Sequence, residues 1–164
     1  MRYGIIPVFK KTGSRDVIRM CKMDEKIREK TIADHIRKDA FANHLGARVE
    51  IVKPGHSRVF LTVNENMTNF HGTTHGGIIF AVGDMAFAAA CNSHGRVAVA
   101  LNVSMAYLKP SYAGDRLMAE AKEVYNGRRT SLYNIGIYNE ATGDLIARSQ
   151  DQAYRMNQWI VPEQ

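Results

Sequence analysis

The stretch "NFHGTTHGGIIFAVGDMAFAAACNS", residues 69–93, holds one carboxylate, Asp84, inside an otherwise apolar run, eight positions after Gly76. A buried carboxylate costs several kcal/mol, of order 3–5 when it lacks a partner. The positions one helical turn away on either side are Phe80, Ala81, Phe87 and Ala88, and none of them can pair with it. Mid-helix, it cannot act as an N-cap either. Two readings stand: a polar contact to a distant backbone donor, or a catalytic acid that works as nucleophile or general base. His75-Gly76-Gly77 marks the expected start of the same helix. A helix start carries unpaired N–H groups and a partial positive charge, and two glycines remove the side chains that would keep a ligand off the backbone. A carbonyl oxygen, or the oxyanion formed from it, fits there. The alternative is that the glycines only permit a tight turn or close packing.

The spacing sets a condition. At 1.5 Å per residue, Gly76 and Asp84 lie roughly 12 Å apart along one helix, whereas acting on one carbon requires both within about 3–3.5 Å of it. If both are catalytic, two copies of the helix must run antiparallel across a two-fold axis, and two sites then form at a homodimer interface.

The surrounding elements are readable from periodicity. Residues 24–46, "DEKIREKTIADHIRKDAFANHLG", carry apolar residues near helical spacing, and Gly46 stops the helix. "ARVEIV" and "SRVFLTV" flank the turn "KPGH" as two strands. After Gly95, "VAVALNVSMAYL" alternates over its whole length, with Val97, Val99, Leu101, Val103, Met105 and Tyr107 on one face. "RLMAEAKEVY", "TSLYNIGIYN" and "LIARSQDQAYRM" are three more strands, the first two joined at the hairpin signal "NGRR". Four strands joined by short turns are expected to be antiparallel neighbours. A helix apolar on nearly all sides has to be buried, and a sheet of five to six strands covers it by curling round it. The expected class is α+β, with one domain over residues 23–164 and an extension of unclear structure over residues 1–22.

Composition narrows the function classes. The net charge of +6 falls wholly within residues 1–38; residues 39–164 are neutral overall. The basic excess therefore belongs to the N-terminal segment, and the body has no nucleic-acid footprint. No apolar run reaches membrane-span length. Cys21 and Cys91 suggest neither a disulfide framework nor a zinc site, and a cytoplasmic location is expected.

The pattern N-x5-HGG-x6-D over Asn69–Asp84, followed by "YLKPSYAGDRLMAEA" and the "GRR" hairpin, resembles the hotdog-fold acyl-CoA thioesterases of the PaaI-like group over about residues 39–156. That resemblance implies a long central helix wrapped by an antiparallel sheet, and dimers that often pair into tetramers. It also implies thioester hydrolysis with no cofactor beyond the coenzyme A of the substrate. On it, Asp84 is the acid that attacks the thioester or activates water. The Gly76 N–H polarises the carbonyl, Asn69 helps to place the water or thioester, and His75 supports the site. Gly77, Lys109, Arg128 and Arg129 are expected to bind substrate, the three cations through the coenzyme A phosphates. Phe80 and Phe87 are expected in the acyl pocket. Some relatives carry a Ser or Thr hydroxyl on the strand after the helix where this chain has Ala100, which leaves more of the task to Asn69 and Asp84. No nucleic-acid or membrane partner is expected. Two rivals are a non-catalytic acyl-CoA sensor and, with less support, a hotdog dehydratase, whose His and acid would sit in a different motif.

Overall fold

The computed structural model of the protein describes residues 25–161, so the extension expected over residues 1–22 lies outside it. The chain enters with two helices where the periodicity predicts one: α1, Glu25–Ile36, and α2, Ala40–Leu45. The break has a local cause. Asp39 Oδ1 accepts the N–H groups of Phe41 and Ala42, 2.9 and 3.0 Å away, and so caps a new helix. Gly46 ends α2 in the left-handed region at φ 73°.

Six strands follow, all within the stretches that alternate in sequence: β1 (Arg48–Lys53), β2 (His56–Thr62), β3 (Arg96–Tyr107), β4 (Arg116–Asn126), β5 (Thr130–Asn139) and β6 (Leu145–Trp159). Between β2 and β3 lie a 3-10 turn, Glu65–Met67, and the long helix α3, Gly76–Asn92. The strands make one antiparallel sheet in the order β1-β2-β4-β5-β6-β3. β4, β5 and β6 are successive neighbours as expected. β3 is not beside β4; it forms the far edge and pairs with β6. The connection 108–115 makes the crossing. Leu108 and Lys109 donate N–H bonds to Ile146 O at one side, while Gly114 and Val63 hold its other end to β2.

α3 fills the concave face. Val82, Ala86, Phe87 and Ala90 pack against Val59, Leu117, Ile135 and Ile137, all essentially inaccessible to solvent. Each aliphatic side chain buried in this way contributes about 1.5–3 kcal/mol. Polar clasps fix the helix in place: Ser57 Oγ donates to Ala86 O at 2.6 Å, and the Asn92 amide both donates to Ala98 O and accepts from Ala98 N.

The alternation expected over all of β3 does not hold. The pairing with β6 shifts register between Arg96 and Ala98, where the extra residues lie on β6, and again between Ala100 and Asn102, where Leu101 is a bulge in β3. Ala98 and Ala100 lie in register with the inward Arg155 and Ala153; past Leu101, Val103 and Met105 take that side, opposite Asp151 and Ser149. The Leu101 bulge inserts one residue and exchanges the faces. A helix wrapped by a curved six-stranded antiparallel sheet is the hotdog arrangement.

Candidate active site

The α3 start is built by the loop before it. Asn64 caps the 3-10 turn, His75 N–H donates to Met67 O at 2.8 Å, and Thr74 is pinned by Ser111 through both backbone and hydroxyl. Asn69 spends its side chain on the same loop. Its Oδ1 accepts from His71 N and Thr73 N, and its Nδ2 donates to Thr73 Oγ1 at 2.9 Å.

His75 is the N-cap of α3: its Nδ1 accepts the Gly77 N–H at 2.9 Å. Neutral His75 therefore carries its proton on Nε2. The Gly77 N–H is thereby consumed, whereas the Gly76 N–H has no acceptor among the described residues. Neither glycine has a positive φ. A Cβ at Gly76 would meet nothing closer than the Tyr107 ring at 3.7 Å, an ordinary contact. Backbone conformation and internal packing thus make no demand for glycine at Gly76, which weakens the tight-turn reading and leaves approach by a ligand. Tyr107 Oη donates to Gly76 O at 3.3 Å from the end of β3.

Asp84 lies two helical turns on. Its carboxylate is half-buried and has no hydrogen-bond or ion-pair partner among the described residues. Burial, with a smaller contribution from the Asp39 charge, raises its pKa above the usual carboxylate value, so its conjugate base is the stronger for it. The exposed side of α3 is a narrow stripe through Gly77, Phe80, Asp84, Ala88 and Asn92. Beside Asp84 this stripe borders a groove of about 390 Å³, whose walls include Met85, Ala88, Val97, Ile36 and Ile160. Phe80 is 38 % exposed on the same stripe but does not line this groove, and Phe87 is 1 % exposed, edge-on to Tyr133 in the core.

The three cations do not gather in one chain. Lys109 lies near the α3 start and is ion-paired with Asp144. Arg128 and Arg129 sit in the β4–β5 hairpin at the opposite end of β5, where Arg129 donates to Tyr154 Oη at 2.9 Å. Sequence reasoning also missed two acids that act on Asp84 or face it, Asp39 and Asp151. Asp39 reads as one more helical charge, and Asp151 stands in a strand that is polar on both sides, "RSQDQ", where alternation gives no signal.

Fold and site together define a hotdog protein with a partnerless acid and an open helix start, the equipment of a thioester hydrolase. Comparison with known proteins agrees: the family model "Thioesterase superfamily" matches residues 71–146. The acyl-coenzyme A thioesterase PaaI of Escherichia coli is 41% identical over 125 residues, with 76% of this chain and 89% of the relative aligned. The solved structure of the E. coli PaaI protein superposes with a TM-score of 0.77 at 34% identity, covering 80% of this chain and 96% of that one. A Streptococcus pneumoniae thioesterase solved with coenzyme A gives a TM-score of 0.65 at 26% identity over 69% of this chain and 90% of that one. The chain belongs to the thioesterase superfamily and is a thioester hydrolase.

Proposed function

We propose that the protein hydrolyses acyl-CoA thioesters at sites shared between two copies of the chain. The observation that carries the reading is Asp84: an acid half-buried next to Met85 and Ala88 of the groove wall, with no hydrogen-bond or ion-pair partner among the described residues. Coenzyme A enters the reading through the relatives, one named for acyl-coenzyme A and one solved with coenzyme A.

The helix geometry supports the dimer. α3 is regular from Gly76 to Asn92, so its rise keeps Gly76 and Asp84 about 12 Å apart in one chain. β3, a strand of 12 residues, has an outer edge that no strand pairs among the described residues, with Val99 and Leu101 exposed at 47% and 57%. Such an edge invites a second strand. A second copy pairing there in antiparallel fashion extends the sheet and lays the two α3 stripes side by side. The Gly76 of one copy then meets the Asp84 of the other. The same rotation brings Arg128 and Arg129 of the second copy toward the α3 start that Lys109 flanks, so cations scattered in one chain converge on the coenzyme A phosphates.

The thioester carbonyl accepts the Gly76 N–H at the positive end of α3, and the acyl group lies in the groove beside Asp84. Asp84 then either attacks the carbonyl carbon, giving a mixed anhydride that water cleaves, or takes a proton from the attacking water; in both routes the thiolate of coenzyme A leaves and is protonated. Asn69, His75 and Gly77 support the loop and cap that present Gly76. Cys91, a free buried thiol, is in keeping with a cytoplasmic location, and among the described residues no helix is long and apolar enough to cross a membrane.

Single turnover in 18-oxygen water separates the two routes: label entering Asp84 supports the anhydride, and label found only in the released acid supports the general base. A screen of phenylacetyl-, hydroxybenzoyl- and medium- to long-chain acyl-CoAs with free thiol as readout tests the activity itself. Release from none of them would sink it and favour the sensor.

A further inference from the structure

Asp151, on β6, is 1 % exposed, and among the described residues neither carboxylate oxygen makes a hydrogen bond of regular geometry, although the Ser149 hydroxyl is close enough to act on it. Two flanking hydroxyls on the same face, Ser149 and Ser131, are equally buried and unpartnered. Buried polar groups are satisfied in the large majority of cases, so an unpartnered trio centred on a carboxyl needs a reason.

The sheet register locates it. Asp151 stands in one row with Tyr133 of β5 and Val103 of β3; the next row is Ile135, Ser149 and Met105. Tyr133 packs on Phe87 of α3, and the Met105 methyl lies 3.0 Å from where a Gly83 Cβ would stand. Asp151 therefore lies beneath the segment of α3 from Gly83 to Phe87, the segment that carries Asp84.

We infer that Asp151 is a positioning residue for the hydrolysis, a second carboxyl set against the underside of α3 whose charge keeps Asp84 a strong base. This rests on Asp84 being the reacting acid, as proposed above. Burial, opposed by the neighbouring Ser149 hydroxyl and reinforced more weakly by the Asp84 charge, pushes Asp151 up to about 6. The other groups around the pair leave that coupling intact. From α3, the Cys91 thiol is pushed up to about 12, chiefly by burial, and stays neutral. From β5, the Tyr133 phenol is raised by burial and donates to Glu123 at 2.8 Å. β3 offers Val103, which does not titrate. On β6, the Arg155 guanidinium bonds Asn126 Oδ1 and Gly127 O through Nη1, and its Nη2 lies 3.5 Å from Glu123, itself bound by His94, while its buried Nε makes no hydrogen bond among the described residues. Asp39 adds a further negative charge beside Asp84.

Two carboxyls in one desolvated space titrate as a pair. The step near pH 6 belongs mainly to Asp151. Above it Asp84 works beside a fixed negative charge, which makes it a better proton acceptor.

The test reads shape, not height. For wild type, kcat/KM on a reactive acyl-CoA should rise in two steps between pH 4.5 and 9. Asp151→Asn should remove the step near pH 6 and lower the plateau by about 3–10-fold. A variant profile that keeps both steps and is only scaled down would overturn the inference in favour of a structural role. A second readout needs neither hydrolysis nor a variant at Asp151. Carbon-13 NMR of the aspartate carboxyls should show the Asp151 midpoint falling by roughly half a pH unit or more in Asp84→Asn, because a like charge is gone. An unmoved midpoint overturns the coupling. A moved midpoint in a protein that releases no thiol keeps the pair and sinks the thioesterase reading instead.

Discussion

Two sets of carboxylates in this molecule are treated in opposite ways. On the outer side of the sheet, Glu120 receives Arg58 Nη2 at 2.8 Å, His56 Nε2 at 2.9 Å and Lys122 Nζ at 2.6 Å. Partial burial opposes its charge, but those bonds prevail and hold it down at about 2. On the inner side, Asp84 and Asp151 receive no partner, and burial moves both upward. The first arrangement converts a charge into stability. The second leaves the charge unsatisfied, where proton affinity and reactivity are highest. On the proposed mechanism, the difference separates a structural acid from a working one without reference to sequence motifs.

The largest expected effect breaks the working side. Asp84→Asn should lower kcat/KM by about 10²–10⁴-fold in thiol-release assays while the thermal midpoint holds or rises. Near-wild-type hydrolysis would mean that Asp84 is as structural as Glu120. Next is Gly76→Ala. Its methyl meets only the Tyr107 ring at ordinary contact distance, and alanine suits a helix better than glycine, so stability should hold or improve. Activity should nevertheless fall by about 10-fold or more, since the methyl stands where the thioester must approach. Unchanged kinetics would remove the α3 start from the site.

Two smaller effects sharpen the contrast through pH. Asp151 is raised on folding, so the folded state holds its proton more tightly than the unfolded one. Its destabilisation is absent below about pH 4 and complete above about pH 6, on the order of 2–3 kcal/mol. Asp151→Asn should therefore gain stability relative to wild type at pH 8 and little at pH 4, as read by denaturant melts at the two pH values. Glu120 has the opposite sign. Its contribution is present above the ordinary glutamate value and lost as pH falls toward 2, so Glu120→Gln should cost about 1–2 kcal/mol at pH 7 and nothing at pH 2. Thiol release by that variant should be unaltered. Matching pH signatures for the two variants would erase the distinction.

Much of this was legible in the chain. Six alternating segments became six strands because a period of two is a local property, and α3 began at His75-Gly76-Gly77 because capping and backbone freedom are local too. Asp84 stood out because nothing within a helical turn could hold it. Three features were not legible. The Asp39 cap that divides the first helix competes with a continuous periodic pattern, and periodicity alone favours the longer element. The placement of β3 beside β6 depends on pairing across the whole domain. The Leu101 bulge exchanges the faces of β3 where the sequence shows unbroken alternation.

The sequence by itself determined which elements form, where the central helix starts, and that a carboxylate on it lacks a local partner. It also determined, through helical rise, that Gly76 and Asp84 of one chain cannot serve one carbon. Only the tertiary structure decided what lies across from Asp84. Asp151 is 67 positions away along the chain in sequence terms that carry no periodic signal, and it arrives under α3 because β6 sits between β5 and β3 in register. Electrostatic coupling depends on distance through space, and the strand order that sets that distance is a property of the whole sheet.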